Sequence, residues 1–106
     1  MNALIVKPGE KAHLINILGG FDEIQLLVGG VIDIIDPYED NVIFILNDNG
    51  KMRGLPKNRR INDWITIHGT FLICGRDDDG NTTSLTSEQV KKYTEIMKFA
   101  MFRDRV

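Results

Sequence analysis

Apolar residues in this chain come in short runs, each stopped by glycine, proline or a cluster of acids. The first run, Asn2 to Val6, is β-prone and ends at Lys7-Pro8-Gly9-Glu10, where proline fixes φ and glycine tolerates a positive one. The pattern predicts strand, turn, strand, the second strand running from Lys11 to Leu18 with Ala12, Leu14 and Ile15 before Gly19-Gly20. The spacing then changes. Phe21, Ile24, Leu27 and Val28 fall at i, i+3, i+6 and i+7, which predicts a short helix over 21–28 closed by Gly29-Gly30. Val31 to Ile35 reads as a strand, 36–41 as a turn, and Val42 to Leu46 as a strand apolar at every position and therefore covered on both faces. Asp48-Asn49-Gly50 supplies a tight turn.

Residues 51–63 are different in kind. Lys51, Arg53, Lys57, Arg59 and Arg60 stand within ten positions that hold no acid, around Gly54 and Pro56, and predict an exposed electropositive loop. Trp64 to Gly75 reads as one strand through the centre of the sheet, and Asp77-Asp78-Asp79-Gly80-Asn81 as a turn. The final element is the clearest. Thr86 with Gln89 forms a capping box, Leu85 and Val90 staple its start, and Val90, Tyr93, Ile96, Met97, Ala100 and Met101 recur at helical spacing from 87 to about 102. The elements sum to one α+β domain over 1–106: a small, mostly antiparallel sheet of five to seven strands with a short internal helix and a C-terminal helix.

Composition narrows the class of function. At 106 residues, with 42% hydrophobic and 26% charged positions, the chain builds one core and not two. No apolar run approaches the ~20 residues of a membrane span, and Met1 to Val6 lacks a basic n-region and a long h-region, so no membrane association is expected. Cys74 is the single cysteine, which fits a reducing cytoplasm. A net charge of −2 argues against a protein that coats nucleic acid.

Candidate catalytic chemistry is thin. Cys74 sits inside an apolar strand as a buried thiol, His68 reads as a satisfied strand histidine and His13 as a surface residue on an edge strand. The Asp77–Asp79 run lacks the remaining ligands of a calcium loop, and neither a phosphate loop nor a dinucleotide fingerprint is present. The reading is therefore a protein that is not an enzyme and needs no metal or cofactor. The basic segment offers binding chemistry instead: Arg59 and Arg60 as planar forks for phosphate, Lys57 as a point charge, Asn58 as donor and acceptor, with Thr70 as a small polar donor and Trp64 as a half-exposed stacking ring.

Four features in order carry a resemblance: Ala3-Leu4-Ile5-Val6-Lys7-Pro8-Gly9-Glu10; Leu27-Val28-Gly29-Gly30 leading into a strand; Gly54-Leu55-Pro56 followed by Asn58-Arg59; and Gly69-Thr70-Phe71-Leu72-Ile73-Cys74-Gly75 ahead of Ser84-Leu85-Thr86. Together they resemble a small domain-of-unknown-function family, numbered 3846, carried by phages and mobile elements. The chain also resembles a type of phage anti-CBASS protein that acts as a sponge. That resemblance implies a cytoplasmic immune-evasion protein binding a cyclic dinucleotide such as 3′3′-cGAMP, without cleaving it, as a homo-oligomer. A dimer or tetramer is expected, with Met97, Met101 and Phe102 in its core or interface. The alternative is a protein-interaction inhibitor of the anti-restriction type, using the acidic runs Asp36 to Asp40 and Asp77 to Asp79. A single-strand nucleic-acid binder ranks last, because overall acidity opposes it.

Overall fold

Alternation in β1 (Asn2–Val6) sends Ala3 and Ile5 to one side and Leu4 and Val6 to the other, and all four are buried, so the strand lies between two covering layers. A computed structural model, which describes residues 1–100, shows those layers. β1 pairs on one flank with β2 (His13–Asn16) and on the other with β7 (Phe71–Arg76). β7 pairs in turn with β4 (Val42–Asn47), and β4 with the edge strand β3 (Ile32–Ile35). The short β8 (Thr82–Thr83) returns beside the end of β7, giving a six-stranded sheet whose pairings are all antiparallel.

Register sorts the core. Leu4 stands opposite Ile73, and Ile73 opposite Phe44, so these side chains share one face. There α2 (Ser87–Phe99) contributes Tyr93 and Met97 to a cluster with Leu4, Val6, Phe44, Phe71 and Ile73, and the Phe44 and Phe71 rings stack 5.6 Å apart. On the other face α1 (Phe21–Val28) sets Ile24 and Val28 over Ala3, Ile5, Ile43, Ile45, Leu72 and Cys74. The uninterrupted apolar run of β4 follows directly, since each face of that strand meets a helix layer. Met97 is thus a core residue, while Met101 and Phe102 lie outside the described residues.

The helix ends follow local chemistry. Thr86 Oγ1 accepts from the Gln89 backbone N–H at 3.1 Å, and Gln89 Oε1 accepts from the Thr86 N–H at 2.9 Å, which is the expected capping box. Leu85 and Val90 join the same apolar cluster beneath it. At the end of α1, Gly29 adopts φ 85° and its N–H returns to the Gln25 carbonyl.

Two expectations are corrected. The predicted basic loop is partly a strand: β5 (Lys57–Arg60) pairs with β6 (Thr66–His68) in a separate two-stranded ribbon, with a bulge between Lys57 and Arg59. The predicted single strand Trp64 to Gly75 is divided at Gly69, which has φ 83° and hands the chain from the ribbon to the centre of the sheet. The backbone conformation favours glycine, and a Cβ there would push the Leu55 side chain aside, its Cδ1 lying 2.7 Å away. Among the described residues no helix is long and apolar enough to cross a membrane.

Candidate functional site

The six residues expected to bind ligand are divided among three environments. Asn58 and Arg59 are fully buried, which corrects the expectation of an exposed loop. Asn58 Nδ2 donates to the Val6 carbonyl at 2.9 Å and the Gly69 carbonyl at 2.8 Å. Arg59 donates through Nε to the Met97 carbonyl at 2.8 Å, through Nη1 to Asn58 Oδ1 at 2.8 Å, and through Nη2 to the Glu10 carbonyl. The physical reason is the end of α2: its last carbonyls lack intrahelical partners and carry partial negative charge, and a buried guanidinium answers both needs. Burial draws the Arg59 pKa below its ordinary value, yet an arginine remains charged. Both side chains are buried and hydrogen-bonded within the fold.

Arg60 and Trp64 lie at the turn end of the ribbon. The Arg60 N–H donates to the Ala100 carbonyl at 3.0 Å, while its exposed side chain meets Asp63 at 3.1 Å. Trp64 is 88% exposed, more than expected, with its N–H held by Asn62 Oδ1. Lys57 sits three residues away along β5, opposite His68, and Thr70 follows just beyond. At ~3.3 Å per residue, the two ends of the ribbon are about 10 Å apart. Among the described residues the six therefore share no one surface.

Thr70 does belong to a groove. It is open, about 390 Å³, and lined by Pro8, Leu27, Val28, Gly29, Arg53, Leu55, Pro56, Gly69 and Thr70. Four chain segments meet there: the β1–β2 turn, the end of α1, the β4–β5 connection and the β6–β7 turn. The connection is held firmly. Leu55 donates its N–H to the Gly50 carbonyl, the Leu55 carbonyl meets His68 Nδ1 at 3.1 Å, and Gly69 donates to the Pro56 carbonyl. Arg53 Nη1 donates to the Gly29 carbonyl at 2.9 Å, next to buried Asn47, whose Nδ2 donates to the Val28 carbonyl. These two side chains cap the end of α1 as Arg59 caps α2. Unlike Arg59, Arg53 is exposed, and its other guanidinium donors have no protein acceptor among the described residues. The groove thus combines one cation, one hydroxyl, an apolar floor and no carboxylate.

Elsewhere the chemistry is structural. Cys74 is sealed in the sheet, and burial pushes its thiol up to about 11, so thiolate at neutral pH is scarce. His13 is exposed on the edge strand β2. Tyr38 packs on Phe44 and Tyr93 at 5.8 and 5.7 Å. Asp77 accepts from the N–H groups of Asp79 and Asn81 and closes the β7–β8 turn; among the described residues no group of three His, Cys, Asp or Glu could hold a metal ion. The other acidic run is engaged too. Asp40 takes hydrogen bonds from Lys92 and from the Tyr93 hydroxyl, which hold its carboxyl below the usual range, and Asp36 faces Arg76 at 3.7 Å. Both runs lie at the end of the sheet where Val42 meets Gly75, opposite the end where Val6 meets Phe71 and the groove opens.

A family model described as a domain of unknown function (DUF3846) matches residues 1–98. No curated protein and no solved structure matches the chain.

Proposed function

We propose, for a chain that belongs to the domain-of-unknown-function family DUF3846, the role of a sponge that holds an anionic nucleotide in the groove beside Arg53. The most concrete ligand is a cyclic dinucleotide such as 3′3′-cGAMP, bound and released uncleaved. One observation carries the reading: nine residues line the groove, and the only charge among them is a guanidinium fixed by the Gly29 carbonyl with donors to spare. A phosphate accepts from such a fork. Leu27, Leu55 and Pro56 offer a base an apolar surface, Thr70 offers a hydroxyl, and Gly29 and Gly69 let the ligand approach the backbone. The volume is near the low end for small-molecule sites and suits one base with its phosphate, the remainder of the dinucleotide being covered in a homo-oligomer. The resemblance to phage proteins supports immune evasion in a host cytoplasm as the setting of this proposal, where withdrawing a signal requires no catalytic group.

Calorimetry against 3′3′-cGAMP, cyclic di-GMP, a linear dinucleotide and a short single strand tests the reading. A cyclic dinucleotide is expected to bind and to be recovered intact after heat denaturation of the protein. Arg53→Ala is expected to weaken binding roughly ten- to a hundredfold, the loss of about 1.5–3 kcal/mol for a charged hydrogen bond, while Arg60→Ala changes it little. No heat with any nucleotide, or recovery of a linearised product, overturns it.

A further inference from the structure

The outer surface of α1 is built to meet another surface. Each helical residue is turned about 100° from the last, so Asp22, Gln25, Leu26 and Gly29 form a stripe on the side away from Ile24 and Val28, which face the sheet. Leu26 stands on that stripe 84% exposed. A lone exposed leucine needs no explanation, but a concentration of them does. Of the nine large apolar side chains exposed among the described residues, five fall between positions 18 and 34: Leu18, Phe21, Leu26, Val31 and Ile34. Ile34 stands opposite Ile45 on β4 and therefore shares α1's side of the sheet. Beside the projecting Leu26 runs an open groove of about 690 Å³, lined by Asp22, Gln25, Leu26, Gly29, Gly30 and Val31. A knob and a hollow thus lie side by side on one face.

The charges at the two ends of the stripe say what covers it. Asp22 stands in the first turn, and Arg53 is bonded to the Gly29 carbonyl at the last. A helix of this length places them about 10 Å apart along its axis. When two copies meet with their α1 helices antiparallel across a two-fold axis near Leu26, the partner subunit's Asp22 comes to the Arg53 end, and the reverse contact repeats it. Helix dipoles then also oppose favourably. Parallel helices would instead set acid against acid and cation against cation. Gly29 and Gly30 present no side chain at the crossing, which lets each Leu26 reach the other's groove.

We infer that this face is the dimer interface of the protein, occupied by α1 of a second copy in antiparallel contact, with Leu26 as its centre and Asp22 against Arg53 at both ends. The inference shares Arg53 with the proposed nucleotide groove, where a phosphate and the partner subunit's Asp22 would compete for its remaining donors, so its test uses the full chain without nucleotide. Sedimentation velocity at tens of micromolar is expected to show twice the 12.0 kDa chain mass. Leu26→Asp is expected to give a monomer whose thermal melt is that of the folded protein, since the residue is exposed. Asp22→Arg is expected to weaken the dimer at least tenfold, and Asp22→Arg with Arg53→Asp to restore it. A wild-type monomer at that concentration overturns the inference. So does a dimer that survives Leu26→Asp, or a double charge reversal that fails to restore what the single one lost.

Discussion

Arg59→Ala is expected to damage folding. The guanidinium is fully buried and supplies hydrogen bonds to the Met97 carbonyl, the Glu10 carbonyl and Asn58 Oδ1, tying the end of α2, the β1–β2 turn and β5 to one another. Truncation takes the donor from these three acceptors and from the Asn58 carbonyl, each costing about 1–3 kcal/mol where water cannot enter and no other donor serves, and removes the packing of the stem. The Glu10 contact is only partly buried, so water recovers some of it. The net loss is about 3–5 kcal/mol, a large share of the ~5–15 kcal/mol that holds a small domain. Urea denaturation followed by far-ultraviolet circular dichroism reads this as a midpoint lower by about 1–3 M at unchanged slope. Arg59→Met keeps much of the volume and is expected to lose about 2–4 kcal/mol, placing most of the effect on hydrogen bonds; Arg59→Lys recovers only part. Arg60→Ala serves as control, because an exposed pair with Asp63 contributes ~1 kcal/mol or less. If Arg59→Ala shifts stability by no more than Arg60→Ala does, the brace is refuted.

Asn58→Ala strips the Val6 and Gly69 carbonyls of their donor and is expected to cost about 2–4 kcal/mol; because Asn58 also accepts from Arg59, the double variant with Arg59→Ala will lose less than the two single losses added, which a urea double-mutant cycle measures. Burial raises the Tyr93 and Tyr38 hydroxyls and pushes the Cys74 thiol up to about 11, so the unfolded chain releases these protons first and stability falls as pH rises. For Cys74 the window runs from about 8.5 in the unfolded chain to about 11, and Cys74→Ala is expected to flatten the alkaline decline measured by urea midpoints. At the acid end Asp40, held low by Lys92 and Tyr93, contributes stability above its unfolded value that disappears as pH falls through its folded one; Asp40→Asn is expected to lessen that acid dependence. Trp64 is the only tryptophan and is almost fully exposed, so its emission in the native protein is expected to be red-shifted and readily quenched by iodide, changing little on unfolding.

The helices and the sheet were legible because their signals are local. Thr86 with Gln89 specifies the start of α2 within four residues, and the alternation of β1 or the solid apolar run of β4 reports the covering layers without knowledge of the partners. Lys57–Arg60 gives no such signal. Its four side chains are polar, and what makes it a strand is distant: the ladder to Thr66–His68, the Val6 carbonyl that binds Asn58 and the end of α2 that binds Arg59. A polar stretch with Pro before it therefore reads as loop. The same gap hides which basic side chains are buried. Arg53 and Arg59 belong to one basic segment, and nothing in their neighbours along the chain says that one lies inside against Met97 while the other stands at a groove edge. The usable hint lay elsewhere, in Gly29-Gly30: a glycine-ended helix exposes carbonyls that a nearby cation can cap.

The claim that the groove beside Arg53 receives a nucleotide is tested most directly by residue-resolved binding. In nitrogen-15 correlation spectra titrated with 3′3′-cGAMP, the amides of Gly29, Arg53, Leu55, Gly69 and Thr70 are expected to move together and to saturate on one curve, while Arg60 and Trp64 stay in place. Saturable shifts confined to Arg60, Asp63 and Trp64, or a spectrum that no cyclic dinucleotide alters, would contradict it.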